Sequence, residues 1–292
     1  MTNAGRLRSF MVACLVPGLA VYALFAIVPI VWSAYYGFFD WSGIGDPKFA
    51  GWRNYVSVIQ EPLFWRALKN NIIVVFASIL GQLPIALVLA LLLNRNTWFF
   101  RAVRSAVFMP MVLSTVVVAL IWKYIYHPQI GVLNYALKLV GLESWTMPWL
   151  SDPDINMYAV AMPIIWANIG PYLIIFISAI QNLPSEVDEA ARLDGAVGLR
   201  KLVLVTLPMI WDTIKVTVIM CIAGSLKAFD LVFVMTHGGP AHTTELLATY
   251  MYNSTFAVYR YGYGSAISTL IVLVSAVLIL FSQLLMNRRS SS

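Results

Sequence analysis

The residues best placed to do work lie in one short run, Leu183-Pro184-Ser185-Glu186-Val187-Asp188-Glu189-Ala190-Ala191-Arg192-Leu193-Asp194-Gly195. The spacing predicts a helix with built-in ends. Ser185 reads as an N-cap, with Asp188 three residues on as in a capping box. Glu186, Asp188 and Glu189 crowd the first turn, where the helix dipole favours negative charge. Gly195 suits the left-handed residue that ends a helix. Ala190 and Ala191 allow close approach to a partner groove, while Val187, Leu193 and Leu199 offer apolar contacts. A helix lying on a bilayer surface would carry a basic polar face. This run is acidic apart from Arg192, which suits a protein partner better than anionic lipid. The chemistry it offers is docking and the transmission of force.

A second set of polar residues falls inside apolar stretches. Lys227 and Asp230 are three apart, on one face of a helix. They read first as a mutual ion pair fixing a helix contact, and alternatively as a cavity wall or gate, because charge at membrane depth requires a partner or water. Trp166, Asn168, Gly170, Pro171 and Tyr172 form a polar, proline-interrupted segment. Pro171 removes a helix hydrogen bond, and such a segment suits a solute site in the membrane. Asn168, Tyr172 and Trp166 supply the donors, acceptors and flat aromatic faces that a sugar needs. Interhelical packing is the competing reading, and Gln82, Ser114 and Ser225 are weaker candidates. His127, His237 and His242 have no cysteine or carboxylate cluster nearby in sequence, so no metal site is expected. Cys14 and Cys221 sit in apolar runs and read as small buried side chains. The run Gly195–Lys201 has the wrong spacing for a phosphate-cradling loop, so the chain is not expected to hydrolyse ATP, and no nucleophile–base set stands out.

These residues must be held by elements that lie in a membrane. Of 292 residues, 60% are hydrophobic and 11% charged, with mean hydropathy +0.80. A soluble domain carries about 25% charged residues. The composition excludes an ordinary soluble enzyme, a disordered chain and a nucleic-acid-binding protein. A bilayer span needs about 20 apolar residues, and six segments qualify: 10–38, 72–93, 105–126, 155–180, 213–235 and 266–286. Continuous apolar runs exclude a β-barrel. The net charge of +6 is explained by topology. Arg6, Arg8, Arg95, Arg101, Arg104, Arg192, Arg200, Lys201, Arg288 and Arg289 fall on one side. Lys48, Arg53, Arg66, Lys69, Lys123, Lys138 and Arg260 fall on the other. The heavier side includes both termini and the shortest loop, so the positive-inside rule places both termini in the cytoplasm. The expected fold is an all-α polytopic membrane protein of one domain.

Glu189-Ala190-Ala191, three residues, Gly195, nine residues, Val205, one residue and Leu207-Pro208 resemble the EAA loop of ABC importer permeases, whose pattern is EAA-x3-G-x9-I-x-LP. Val205 in place of isoleucine is the one departure. Gly238-Gly239-Pro240, followed by Thr243, Thr244, Leu247, Tyr250 and Tyr252, is similar to the segment before the last span in carbohydrate-uptake permeases of the maltose and glycerol-phosphate type. The stretch Gly224-Ser225-Leu226-Lys227-Ala228-Phe229-Asp230 looks like the same subfamily. The resemblance covers nearly the whole chain. It implies a type I ABC importer permease fold, with residues 184–208 as the cytoplasmic coupling loop. It implies that Ser185–Gly195, Leu207 and Pro208 serve ATPase coupling, and that Gly238, Gly239 and Pro240 face a binding protein. Trp166, Asn168, Tyr172, Ser225, Lys227 and Asp230 are the expected substrate pathway. The implied partners are a second homologous permease subunit, two ABC ATPases that hold ATP and Mg, an extracytoplasmic solute-binding protein and membrane lipid. No cofactor is expected on this chain. The expected cargo is a sugar or glycoside. A non-sugar solute such as glycerol-3-phosphate, or an ion-driven secondary transporter, is the alternative.

Overall fold

A computed structural model describes residues 14–288, with the side chains of Asp188, Arg192, Asn287 and Arg288 left aside. Arg6, Arg8 and Arg289, used above for topology, and the first residues of segment 10–38 lie outside the described residues. The helices are α1 Cys14–Tyr36, α2 Arg53–Gln60, α3 Pro62–Leu92, α4 Trp98–Val112, α5 Thr115–Ile125, α6 Val132–Leu139 and α7 Asn156–Gln181. They continue as α8 Ser185–Leu193, α9 Gly198–Met209, α10 Trp211–Leu226, α11 Asp230–Thr236, α12 Leu247–Tyr252 and α13 Tyr261–Arg288. Two strands, β1 Phe39–Asp40 and β2 Lys48–Phe49, pair antiparallel. The chain divides into two compact units.

The first unit comprises the chain up to Pro62 and Met251–Leu273. In α1 a π turn spans Ala23–Ile27, with the Val28 N–H reaching back to Ala23 O. Pro29 follows and cannot donate to the carbonyl four residues back, and a π turn is one way a helix absorbs that missing bond. The β1–β2 hairpin turns through Gly43 and Gly45, both at positive φ. Asn54 Nδ2 ties it to the end of α1 by donating to Gly37 O at 3.0 Å and Phe39 O at 2.8 Å. Two-residue strands are too short to show alternation, so the sequence reads this region as plain loop.

The second unit comprises Leu63–Tyr250 and the chain after Val274. One core cluster joins Val74 of α3, Val118 and Ala119 of α5, Val160 of α7, Val232 of α11 and Leu246. Another joins Leu83, Ala86 and Ala90 of α3, Leu173 and Phe176 of α7, Ile210, and Cys221 of α10. Small residues line these contacts and let helices approach, as membrane packing favours. A Cβ at Gly170 would come 2.8 Å from the Phe108 Cα, so the backbones of α4 and α7 pack directly against each other there. Phe76, Leu80, Val112 and Leu284 are 60%, 70%, 74% and 66% exposed. In water such a surface would aggregate; hydrocarbon is its natural solvent.

Among the described residues four helices are long and apolar enough to span, and up to six if each of two bent pairs is one span. The segments expected at 72–93, 155–180 and 266–286 appear as α3, α7 and α13, with α3 starting ten residues earlier. The segment at 105–126 is broken: α4 and α5 meet at 99° across Leu113-Ser114. The segment at 213–235 is broken too, between Leu226 and Asp230. Apolarity over a window reports burial in lipid and is blind to such breaks.

Candidate functional site

Three regions hold the expected residues. At one end of the second unit, α8 stands beyond the end of α7. Ser185 is its first residue, one position later than an N-cap, within the usual spread of helix ends. Glu186, Glu189, Ala190 and Asp194 are exposed, whereas Ala191 is buried. Gly195 has φ +71. The Ala196 N–H bonds Ala191 O at 2.8 Å, with Asp194 N–H to Ala190 O at 3.0 Å. The six-to-one bond across a left-handed glycine is a Schellman stop, so the end of α8 is fixed in space. Leu193 is 89% and Leu199 79% exposed. Val187 turns inward instead, to line a cavity of about 460 Å³ with Asn94, Leu183, Lys201 and Val205.

Downstream of Gly195 the chain runs through α9, then turns 74° into α10. Leu207 and Pro208 lie in the last turn of α9, where the sequence suggests a connector. A π turn over Leu202–Thr206, with the Leu207 N–H on Leu202 O, precedes Pro208, repeating the device seen before Pro29. Ile210, 2% exposed, sits at the elbow and packs into the second core cluster. Arrest at Gly195, a short link to Gly198, the α9 helix and a packed elbow make the path from α8 to α10. The Pro208 signal was legible; the elbow at Ile210 has no residue signature beyond it.

The second region is a cavity of about 230 Å³ between α3, α4, α7 and the α10–α11 break. Asn168, Tyr172, Ser225, Lys227, Asp230 and Gln82 line it. Trp166 and Ser114 do not; Trp166 packs edge-on against Trp122, centroids 5.9 Å apart. Asn168 Nδ2 donates to Ile164 O at 2.8 Å and Gln82 Nε2 to the same carbonyl at 3.3 Å. Lys227 caps α10 and Asp230 opens α11, so they do not share one helix. Among the described residues neither makes a salt bridge, and both are exposed. The expected mutual ion pair is therefore absent, because the backbone breaks between them. A Lys227→Met, Asp230→Asn double-mutant cycle in thermal stability should show coupling within the ~0.5 kcal/mol expected of independent sites. Coupling above ~1 kcal/mol would restore the pair.

The third region is the loop after α11. Gly238 has φ +82, and a Cβ there would collide with the Glu245 carboxylate. Thr244 Oγ1 meets Thr236 Oγ1 at 2.7 Å and Gly239 O at 2.8 Å, and Thr243 Oγ1 donates to Pro240 O at 2.7 Å. Asn70 Nδ2 donates to Thr243 O and Glu245 O, both at 2.9 Å. Asn71 Oδ1 accepts from Leu247 N–H at 2.8 Å, Asn156 Nδ2 donates to Thr243 Oγ1 at 2.6 Å, and Arg66 donates to Ala241 O at 2.9 Å. Gly238, Gly239 and Pro240 thus sit on a scaffold supplied by α3 and α7. Asn70, Asn71 and Asn156 are not among the residues expected from the sequence, and Arg66 is expected there only as a loop charge. The signal was there in Asn70-Asn71, two amides opening an apolar helix.

The model of the family described as binding-protein-dependent transport system inner membrane component matches residues 82–292. A probable ABC transporter permease of Pyrococcus horikoshii is 34% identical, covering 93% of each chain. The diacetylchitobiose uptake system permease of Streptomyces coelicolor is 32% identical over 96% of this chain and 82% of its own. A subunit of a bacterial ABC transporter involved in the import of the acidic polysaccharide alginate superposes with TM-score 0.81 at 25% identity, over 97% of this chain and 96% of its own.

Proposed function

Because the chain belongs to the family of binding-protein-dependent transport system inner membrane components, we propose that it is one permease subunit of an ATP-driven sugar or glycoside importer. It is a multi-pass membrane protein and a transport component. The saccharide cargo is supported by the diacetylchitobiose and alginate systems that the chain resembles, and by the hydroxyl, amide and aromatic groups of the α7–α10 cavity. At about 230 Å³ the cavity is smaller than the ~300–1,000 Å³ of a typical ligand pocket. A second, homologous permease completes it, and the unpaired Lys227 and Asp230 face that shared space.

Both termini are cytoplasmic in this reading, which puts α8 at the inner face. Two ATPase subunits, carrying ATP and Mg, seat α8 in a groove. Glu186, Glu189 and Asp194 provide charge, Ala190 close approach and Leu193 an apolar plug. When the ATPases close, α8 moves, and the strut through Gly195 and Ile210 turns that motion into rotation of α10. The cavity then opens to the solute-binding protein held by the Gly238-Gly239-Pro240 loop. Glu189 and Gly195 serve shape and docking and take no part in bond chemistry.

The observation that carries this reading is an exposed helix, arrested by a Schellman stop and joined without slack to a buried elbow. A cysteine at Leu193 should form a disulfide or short bifunctional cross-link to the ATPase subunit in native membranes. Cross-linking of Leu193→Cys to lipid-reactive probes alone, with no ATPase adduct, would sink it.

A further inference from the structure

The first half of α4 and the turn before it carry a charge cluster that neither the cavity nor the coupling strut uses. Arg95, Arg101 and Arg104 lie at the end of the bundle where Gln181 Nε2 bonds Asn94 Oδ1 at 3.0 Å. Arg104 is fixed to the backbone, its Nε on Phe100 O and an Nη on Arg95 O, each at 3.4 Å. Arg95 stacks 5.9 Å over the Phe100 ring. None of the three makes an ion pair among the described residues. Arg101 and Arg104 form the mouth of a groove of about 760 Å³, whose walls continue through Phe108, Met109, Val112 and Ile174. Met109 is 63%, Val112 74% and Ile174 41% exposed.

Charge at one end and apolar wall along the rest identify an amphiphile. From Arg101 to Val112 the helix rises about 16 Å, roughly half of the ~30 Å hydrocarbon thickness. That is the reach of one acyl chain in one leaflet. Basic pockets at helix ends select anionic headgroups, and guanidinium groups match phosphate oxygens in forked geometry. A free phosphate would use the arginines and leave the apolar wall bare. We propose that the α4–α7 groove is a binding site for an anionic phospholipid, with the headgroup phosphate on Arg101 and Arg104 and an acyl chain along Phe108 and Val112. Its position beside the Gly170–Phe108 contact lets the lipid brace the joint where α4 meets α7.

The test is native mass spectrometry of the assembled transporter after delipidation, titrated with phosphatidylglycerol, phosphatidylcholine or inorganic phosphate. The expected result is at least tenfold preferential retention of phosphatidylglycerol over phosphatidylcholine, unaffected by millimolar phosphate. The Arg101→Gln, Arg104→Gln pair should remove that preference, and Arg101→Lys, Arg104→Lys should retain most of it. Phe108→Ala should weaken phosphatidylglycerol retention without creating a phosphatidylcholine preference. Equal retention of both lipids, or equal retention by wild type and the glutamine pair, would overturn the proposal. So would displacement by phosphate alone, or protection of Arg101 and Arg104 by the second permease in the assembly. Because the readout is lipid retention, it fails or succeeds independently of ATPase coupling.

Discussion

Gly195→Asp in the assembled transporter lowers solute-stimulated ATP hydrolysis and uptake by at least about tenfold, with the complex still formed. Gly195 has φ +71 and open space where a Cβ would go, so the penalty is conformational. The left-handed region costs an ordinary L-residue roughly 1–2 kcal/mol, and a short polar Asp or Asn less. A carboxylate at a helix C-terminus adds about 0.3–1 kcal/mol of unfavourable dipole interaction, beside an existing Asp194. About 1.4 kcal/mol is a factor of ten, so the arrested end of α8 loses its dominant conformation. On the proposed mechanism the ATPases would still close, but the strut would bend where it should push. Gly195→Asn separates the two effects: asparagine tolerates the left-handed region and carries no charge, and it should keep most of the activity. Normal stimulated hydrolysis in Gly195→Asp would remove the mechanical role from this residue.

Asn70→Leu disables reception of the loaded binding protein, cutting stimulated uptake more than about tenfold while basal ATP hydrolysis persists. Asn70 is 5% exposed and its amide satisfies the buried carbonyl of Glu245 and the half-buried carbonyl of Thr243. Leucine keeps the volume and supplies no donor. Each orphaned carbonyl costs roughly 1–3 kcal/mol, so about 2–6 kcal/mol is withdrawn from a loop that also holds His237, Ala241 and His242 at positive φ. Such strain persists only where surroundings over-determine it. The loop should then become sensitive to limited proteolysis between Thr236 and Glu245. Wild-type uptake together with wild-type protease resistance would show that the amide scaffold is dispensable.

What the sequence revealed and what it concealed divide along a physical line. Apolar runs marked α3, α7 and α13, because lipid burial is additive over a window. Gly195 was legible because a left-handed stop needs a residue without a Cβ, and its neighbours supplied the acids of a first turn. Asn168, Tyr172 and Lys227 were legible as polar exceptions in apolar surroundings. Breaks were not: the 99° corner at Leu113-Ser114 and the gap between Leu226 and Asp230 contain no glycine and no proline. The Lys227–Asp230 pair failed for that reason, since an i,i+3 argument presumes an unbroken helix. Trp166 failed because helical position alone does not say which face meets a cavity. The amides at Asn70, Asn71 and Asn156 look like packing until their partners, a pair of carbonyls, a backbone N–H and a threonine hydroxyl lying 87 to 176 residues away, are in view.

The most direct measurement is vectorial uptake by the purified chain in liposomes, alone and with its permease, ATPase and binding-protein partners. The account predicts no uptake by this chain alone under any proton or sodium gradient, and uptake by the full assembly only with binding protein outside and ATP inside. Gradient-driven uptake by this chain without ATP would contradict it.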